Sequence, residues 1–460
     1  MKSLLFLICF VSFSVWAGPL QEINSREQFD SYINESQFNG VLVVKKNDTM
    51  LFAKAFGVKD FETNTSLSLN DKFQIGSVSK QFTAAALLKL QQENKLSLDD
   101  DVVKYLPQYE AFRGIKIRDI LNHSSGIANY TDQQSFWQMV DFDKTLSLEE
   151  ILNFTATLAP DFSPRSKWKY SNSGYILAGR IVEVVSGQNC DQYIKANFLE
   201  PLAMNNTGYS PVFHTVSDVV GHSSSAGVLA PVPEFNLSWA LSAGALYSTA
   251  EDLLKWTDIY DRSKLLSEAS KTEMQTPFLN NYALGVEVQK FNDDVKIAHG
   301  GRTPGFTTNL IYLKTSQLKI VKFDNTDTAV FDPSVVALNF FTKGNATALK
   351  LKPFTINKAL LNDYTGFFGS GKMIFQLFIK NENLYLQPND GQPPYLLIAN
   401  DTDSFRLMAI AGEEFVRDQA GQITELKHYQ NGNIGVYKKQ TGLELRPVGV
   451  VTEKTLSPLL

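Results

Sequence analysis

Residues 74–82 read Gln-Ile-Gly-Ser-Val-Ser-Lys-Gln-Phe (QIGSVSKQF) and run directly into TAAALLKLQQ at 83–92. A short polar turn followed by Ala- and Leu-rich sequence marks a helix start. Ser77 and Lys80 stand three residues apart there. On a helix that spacing is about 4.5 Å of rise and most of one turn, so the two side chains share a face. Two readings fit the pair. Either Ser77 or Ser79 is an ordinary N-cap, or Lys80 takes the Ser77 proton and turns the hydroxyl into a nucleophile. The second reading needs a dry, positively biased pocket that draws a lysine down from about 10.4. The helix N-terminus supplies part of that bias. The same Ser-x-x-Lys pattern at Ser166–Lys169 and Ser316–Lys319 has no helix start beside it. Taken alone, the capping and catalytic readings are evenly matched.

Two further stretches tip the balance. WKYSNSGYILAGRIVEVVSG (168–187) places Tyr170-Ser-Asn172 on a loop before a helix, and IAHGGRTPGF (297–306) ends a strand in a glycine-rich turn. With Ser77-Val-Ser-Lys80 they resemble, in order, the Ser-x-x-Lys, Ser/Tyr-x-Asn and Lys/His-x-Gly elements of the serine β-lactamase and penicillin-binding protein superfamily. KLSLDDDVVKYLP (95–107), LNHSSGI (121–127) and GALYSTAEDLLKW (244–256) add to the likeness, which spans about residues 25–343.

The resemblance implies roles residue by residue. Ser77 would form the acyl-enzyme, with Lys80 as its proton acceptor. Tyr170, where the branch resembling class C β-lactamases has a tyrosine, would assist proton transfer. Asn172 would bind the substrate amide and hold Lys80. The N–H groups of Ser77 and Arg302 would form an oxyanion hole, in which a donor is typically worth about 3 kcal/mol. Gly300 and Gly301 would let substrate lie against the strand edge.

His299-Gly300-Gly301 departs from the Lys-Thr-Gly of true β-lactamases. A histidine with its ordinary pKa of about 6.5 is mostly neutral near pH 7, and Gly300 removes the hydroxyl that would share a β-lactam carboxylate. Both changes argue against efficient antibiotic hydrolysis. They favour the family's D-aminopeptidase, DD-peptidase and esterase branches. Arg302 could restore some charge if its side chain turned into the cleft, and Arg165 stands where relatives often carry glycine. His123, in a turn after a helix, reads as structural. His214, His222 and His428 are scattered without metal-ligand spacing, so no metal and no cofactor is expected.

The remaining sequence frames this core. Lys2, the apolar run at 4–13 and the small residues Val15 and Ala17 match a secretory signal cut after Ala17. The run is well short of the roughly 18 residues a membrane-spanning helix needs. The expected location is therefore periplasmic or secreted, with no integral membrane segment once the signal is cut. Cleavage leaves Cys190 as the remaining cysteine, a small buried apolar residue by expectation. A net charge of −5 without blocks of like charge makes nucleic acid and anionic membrane surfaces poor partners. The expected partner is a small peptide or ester, peptidoglycan fragments included.

Helical spacing at 82–92, 148–157 and 174–186 lies between β-rich runs at 40–57 and at 282–288, 295–299, 307–313 and 318–323. That order predicts an α/β (α+β) β-lactamase/transpeptidase-like fold, with one antiparallel sheet built from both chain ends and flanked by helices. Residues 22–37 read as an exposed helix and 333–341 as a closing one. The expected hydrolase domain is 22–343, followed by a linker at 344–359. Residues 360–460 alternate apolar and polar around turns and resemble a lipocalin-like C-terminal β-barrel, with Leu361–Gly371 and Phe415–Lys427 carrying that likeness.

Overall fold

The computed structural model describes residues 20–440 apart from 37, 226–227, 327–331, 351–353, 372, 381, 390–393, 408–410 and 431–432. The expected signal at 1–17 and the chain after 440 lie outside the described residues. Two compact units are present, one from residues 38–326 and 333–338, the other from 20–36 and 339–440.

The first unit is organised by a six-stranded antiparallel sheet. Its strands are β1 (Gly40–Lys46), β2 (Thr49–Phe56), β3 (Glu287–Phe291), β4 (Asp294–Thr303), β5 (Phe306–Leu313) and β6 (Leu318–Asp324), in the order β3-β4-β5-β6-β1-β2. The two ends of the hydrolase region therefore meet at β6 and β1, as expected from the order of strand signals. β1 and β2 turn at Asn47, whose φ of 52° lies in the left-handed region that Asn tolerates. The expected strand at 282–288 is displaced, because Tyr282 precedes β3 and makes only bridge pairs with Leu279 and Glu287.

Alternation along the strands sorts the two faces of the sheet. Ile297, His299 and Gly301 pair across β4–β5 with Tyr312, Leu310 and Thr308. Thr308 donates to the carbonyl of Gln74, so this set faces the Ser77 turn. Asn309, one residue along, donates instead to Ser334 on the opposite face. β3 pairs with β4 only from Asp294 to Ala298. From His299 onward, among the described residues, β4 is an open edge.

Next to that edge a 3-10 turn, Gly76–Ser79, leads into the helix Lys80–Gln92. Ala84, Ala85, Ala86, Leu87, Leu88 and Leu90 are all fully buried, as in a helix packed on every side. Phe82 stacks on Trp256 at 3.8 Å between ring centroids, and the Trp256 indole N–H donates to Gln81 at 2.8 Å. These contacts fix the helix start against Ala250–Trp256, which packs on the sheet. Among the described residues no helix is long and apolar enough to cross a membrane.

In the second unit, eight strands from Gly366–Ser370 to Asn433–Gln440 close into a barrel. Its interior holds Phe368, Phe375, Leu377, Leu386, Phe405, Phe415 and Leu426. Two sequence expectations need correction here. Arg26–Glu35 is not an exposed helix, since it buries Phe29, Tyr32 and Ile33, with Phe29 stacked on Phe340. The stretch read as a linker contains a strand, Ala346–Leu349, paired with Leu20–Ile23. A four-residue strand is too short to show a period of its own, and its partner is distant in the chain.

Candidate active site

Neither serine caps the helix. Ser79 has helical dihedrals and no capping bond. Its hydroxyl instead accepts the N–H of Leu246 at 3.2 Å. Ser77 lies within the 3-10 turn, and its Oγ is 3.0 Å from Lys80 Nζ and 2.7 Å from the Tyr170 hydroxyl, which donates to it. The other two Ser-x-x-Lys pairs behave as ordinary surface or packing residues. Lys169 pairs with Asp161 and Lys319 with Asp258.

Lys80 is completely buried. Among the described carboxylates none pairs with it. Its contacts are the Asn172 Oδ1 at 2.7 Å, the Ala243 carbonyl at 2.8 Å and Ser77. The Tyr170 and Tyr175 rings lie 4.8 and 5.3 Å from the amine. A charged ammonium here would bear a desolvation cost without an ion pair to offset it. Burial accordingly holds the amine well below the ordinary lysine range. A neutral amine has two N–H donors and one lone pair. With Asn172 and Ala243 accepting from those donors, the unprotonated amine would have its lone pair free to take a proton from the Ser77 hydroxyl 3.0 Å away.

Tyr170 shows the complementary effect. Burial pushes its phenol above the ordinary tyrosine range, with the Ser77 hydrogen bond opposing the shift. It therefore remains a proton donor at neutral pH. Asn172 is the first residue of the helix Asn172–Ser186, one step beyond the loop expected from sequence. Its backbone N–H donates to Asn129 Oδ1 at 2.9 Å and its Nδ2 to Thr131 Oγ1 at 3.1 Å. The Nδ2 bond leaves Oδ1 as the amide atom that faces Lys80.

The open edge of β4 completes the site. A Cβ at Gly301 would sit 1.9 Å from the Ile75 carbonyl oxygen, and one at Gly76 would sit 2.5 Å from the Arg302 backbone N. β4 and the Ser77 turn thus approach at backbone distance, which requires glycine. Ser77 is the second residue of its 3-10 turn, where an N–H has no intrahelical acceptor. Gly300 is open, since a Cβ there would meet nothing nearer than the Thr308 oxygen at 3.9 Å. Arg302 is an exposed residue.

His299 is 5% exposed. Its Nδ1 lies 2.5 Å from the Gly300 carbonyl oxygen and its Nε2 2.7 Å from the Tyr282 hydroxyl. Nδ1 thus donates to the carbonyl and Nε2 accepts from the phenol. Burial lowers its pKa to about 3. The third motif presents a neutral ring with both nitrogens occupied.

All the residues singled out from sequence around Ser77, Lys80, Tyr170, Asn172 and β4 are brought together. Tyr282 and Ala243 carry no such signal. Tyr282 sits in an unremarkable NYALG segment, and Ala243 contributes only its carbonyl, which no side-chain pattern can reveal. Arg165 has a φ of 65°, a backbone region that suits glycine, and its guanidinium is 3.8 Å from buried Asp119. Cys190 is buried, and burial raises its thiol pKa, as suits a packing residue.

The sheet with its inserted helices and the Ser77–Lys80–Tyr170 cluster on an open strand edge define a β-lactamase-like α/β protein. A family model described as Beta-lactamase matches residues 26–338. The chain belongs to the Beta-lactamase family, as a serine hydrolase related to penicillin-binding proteins. Penicillin-binding protein 4* of Bacillus subtilis (strain 168) is 27% identical over 417 residues, 84% of this chain and 91% of that protein. The octameric penicillin-binding protein homologue from Pyrococcus abyssi superposes with a TM-score of 0.64 at 23% identity, over 90% of this chain and 98% of that one. D-amino acid amidase from Ochrobactrum anthropi SV3 gives 0.58 at 21% identity, over 65% and 90%. The last two are likenesses of fold.

Proposed function

We propose that this chain is an exported hydrolase that cleaves D-amino-acid-containing peptides of cell-wall type, or simple esters, through an acyl-enzyme on Ser77. One observation carries the reading. Lys80 is a buried amine without a counter-ion among the described residues, its Nζ 3.0 Å from Ser77 Oγ. Lys80 takes the serine proton as Oγ attacks the carbonyl carbon. The oxyanion collects at the Ser77 and Arg302 N–H groups. Tyr170, protonated and 2.7 Å from Oγ, gives a proton to the departing amine or alcohol. The proton that Lys80 took from Ser77 restores the phenol. Water later releases the acyl group, returning a proton to Ser77 Oγ.

Neutral His299 supports a substrate without a carboxylate at that position. This favours an amide or ester over a β-lactam, and the fold likeness to a D-amino acid amidase points the same way. A carboxylesterase is the second reading, supported by the same neutral wall and exposed Gly300.

Purified protein is assayed on a D-alanyl anilide, a nitrophenyl ester and a chromogenic cephalosporin, with Ser77→Ala as the blank. Turnover of anilide and ester above the blank, with little cephalosporin cleavage, is expected. Ester turnover alone selects the esterase. A stable penicillin adduct without turnover selects a binding protein. Ser77→Ala matching wild type on every substrate would reject the whole reading.

A further inference from the structure

His123 reads as structural in sequence, and its surroundings say more. It is 1% exposed and has a φ of 62°, in the left-handed region where a histidine is uncommon. Its ring lies 4.3 Å from the Tyr170 ring and 4.5 Å from that of Tyr282. Its backbone carbonyl accepts the N–H of Lys169 at 3.1 Å, and its Nδ1 accepts the N–H of Ser171 at 3.2 Å. The two residues that flank Tyr170 are thus tied to one histidine, by its main chain on one side and its ring on the other.

With Nδ1 accepting, Nε2 carries the hydrogen, and among the described residues that buried nitrogen has no partner. An unsatisfied buried donor costs about 1–3 kcal/mol. A phenylalanine would fill the space without that cost. Packing alone therefore does not account for a histidine here, whereas the Ser171 bond does, because a hydrocarbon ring has no acceptor.

From this double tether we infer that His123 is a positioning residue for Tyr170, holding its hydroxyl at Ser77 Oγ. The inference rests on the hydrolase reading above. His123 touches no reacting atom. It acts by fixing the backbone on both sides of the proton donor, so its loss leaves substrate binding intact and slows the chemistry.

The test is a double-mutant cycle on the intact protein with the nitrophenyl ester. His123→Phe keeps an aromatic ring and removes the acceptor. A misplacement of about 1 Å at a reacting group costs ~100-fold, so kcat should fall ~100-fold with KM nearly unchanged. In a Tyr170→Phe background the same change should cost less than about threefold, because its target is already gone. His123→Asn tolerates the left-handed φ and offers an oxygen near the Nδ1 position. It should retain kcat within about fivefold of wild type, a difference of about 1 kcal/mol in the barrier. If His123→Phe does not fold by circular dichroism, His123→Gly, which accepts the φ without strain, takes its place in the cycle. Equal losses in both backgrounds, an Asn variant as impaired as Phe, or a Phe variant with wild-type kcat would each overturn the inference. The hydrolase reading fails separately, if wild type shows no turnover above Ser77→Ala.

Discussion

Adding one methyl group at Gly301 should disable the site through backbone geometry alone. The new Cβ would sit 1.9 Å from the Ile75 carbonyl oxygen and 3.1 Å from the Ser77 backbone N. Neither neighbour is a flexible side-chain end, so β4 and the Ser77 turn must separate by at least about 1 Å to restore a contact near 3 Å. Those two segments carry the proposed oxyanion donors. A shift of that size at a reacting centre costs ~100-fold, and loss of one donor costs ~100- to 1000-fold. Gly301→Ala should therefore lower kcat by at least ~100-fold on the nitrophenyl ester. Gly300→Ala is the internal control, since its methyl meets only the Thr308 oxygen at 3.9 Å. It should keep kcat and at most raise KM, because its methyl enters the space left for substrate. Steady-state kinetics on both variants, with melting curves to confirm folding, decide the matter. A Gly301→Ala enzyme with wild-type kcat, or equal kcat losses in both, would refute the reasoning.

Further predictions concern protons and packing. Because Lys80 must be unprotonated to act, kcat/KM should be low in acid and rise with pH to a plateau reached below the ordinary lysine range. His299→Gln should leave the shape of that profile unchanged, since the ring is already neutral down to about pH 3. The same depressed pKa makes a stability prediction. The unfolded chain takes up this proton below about pH 6.5 and the folded chain only near pH 3. The contribution is thus full above about pH 6.5 and is lost as pH falls towards 3, by about 5 kcal/mol at most. His299→Gln should flatten that acid limb in denaturant titrations. Tyr282→Phe strips the donor from buried His299 Nε2 and should cost about 1–3 kcal/mol of unfolding free energy. In the barrel, Arg417 holds Asp403, itself 1% exposed, through two bonds of 2.8 Å. Arg417→Ala leaves that carboxylate buried and unpaired and should destabilise the protein by about 3–5 kcal/mol, read as a lower melting temperature.

The parts legible in sequence are those with a local signature. Ser77 and Lys80 are three residues apart on one turn, so their meeting follows from helix geometry. Strand alternation puts His299 and Gly301 on one face of β4 from their spacing alone. What escapes depends on contacts between distant segments. The Leu20–Ile23 strand needs Ala346–Leu349 to be recognisable. Tyr282 gains its role only from the fold that brings it to His299, and the Ala243 carbonyl belongs to a residue without a functional side chain. His123 reads as a turn residue because its turn is what sequence shows, while its grip on Lys169 and Ser171 is made across more than forty residues of chain. Arg165 shows the opposite case. The resemblance leads to the expectation of glycine at its position, and its positive φ is a backbone region that suits glycine.

The central claim is that a neutral lysine turns one serine into a nucleophile. Intact-protein and peptide mass spectrometry after a brief acid quench with a slowly deacylating nitrophenyl ester tests it most directly. A single acyl adduct on the peptide bearing Ser77, abolished in Ser77→Ala and formed far more slowly in Lys80→Met, is the expected result. An adduct on another residue, or one that forms as fast without the Lys80 amine, would contradict it.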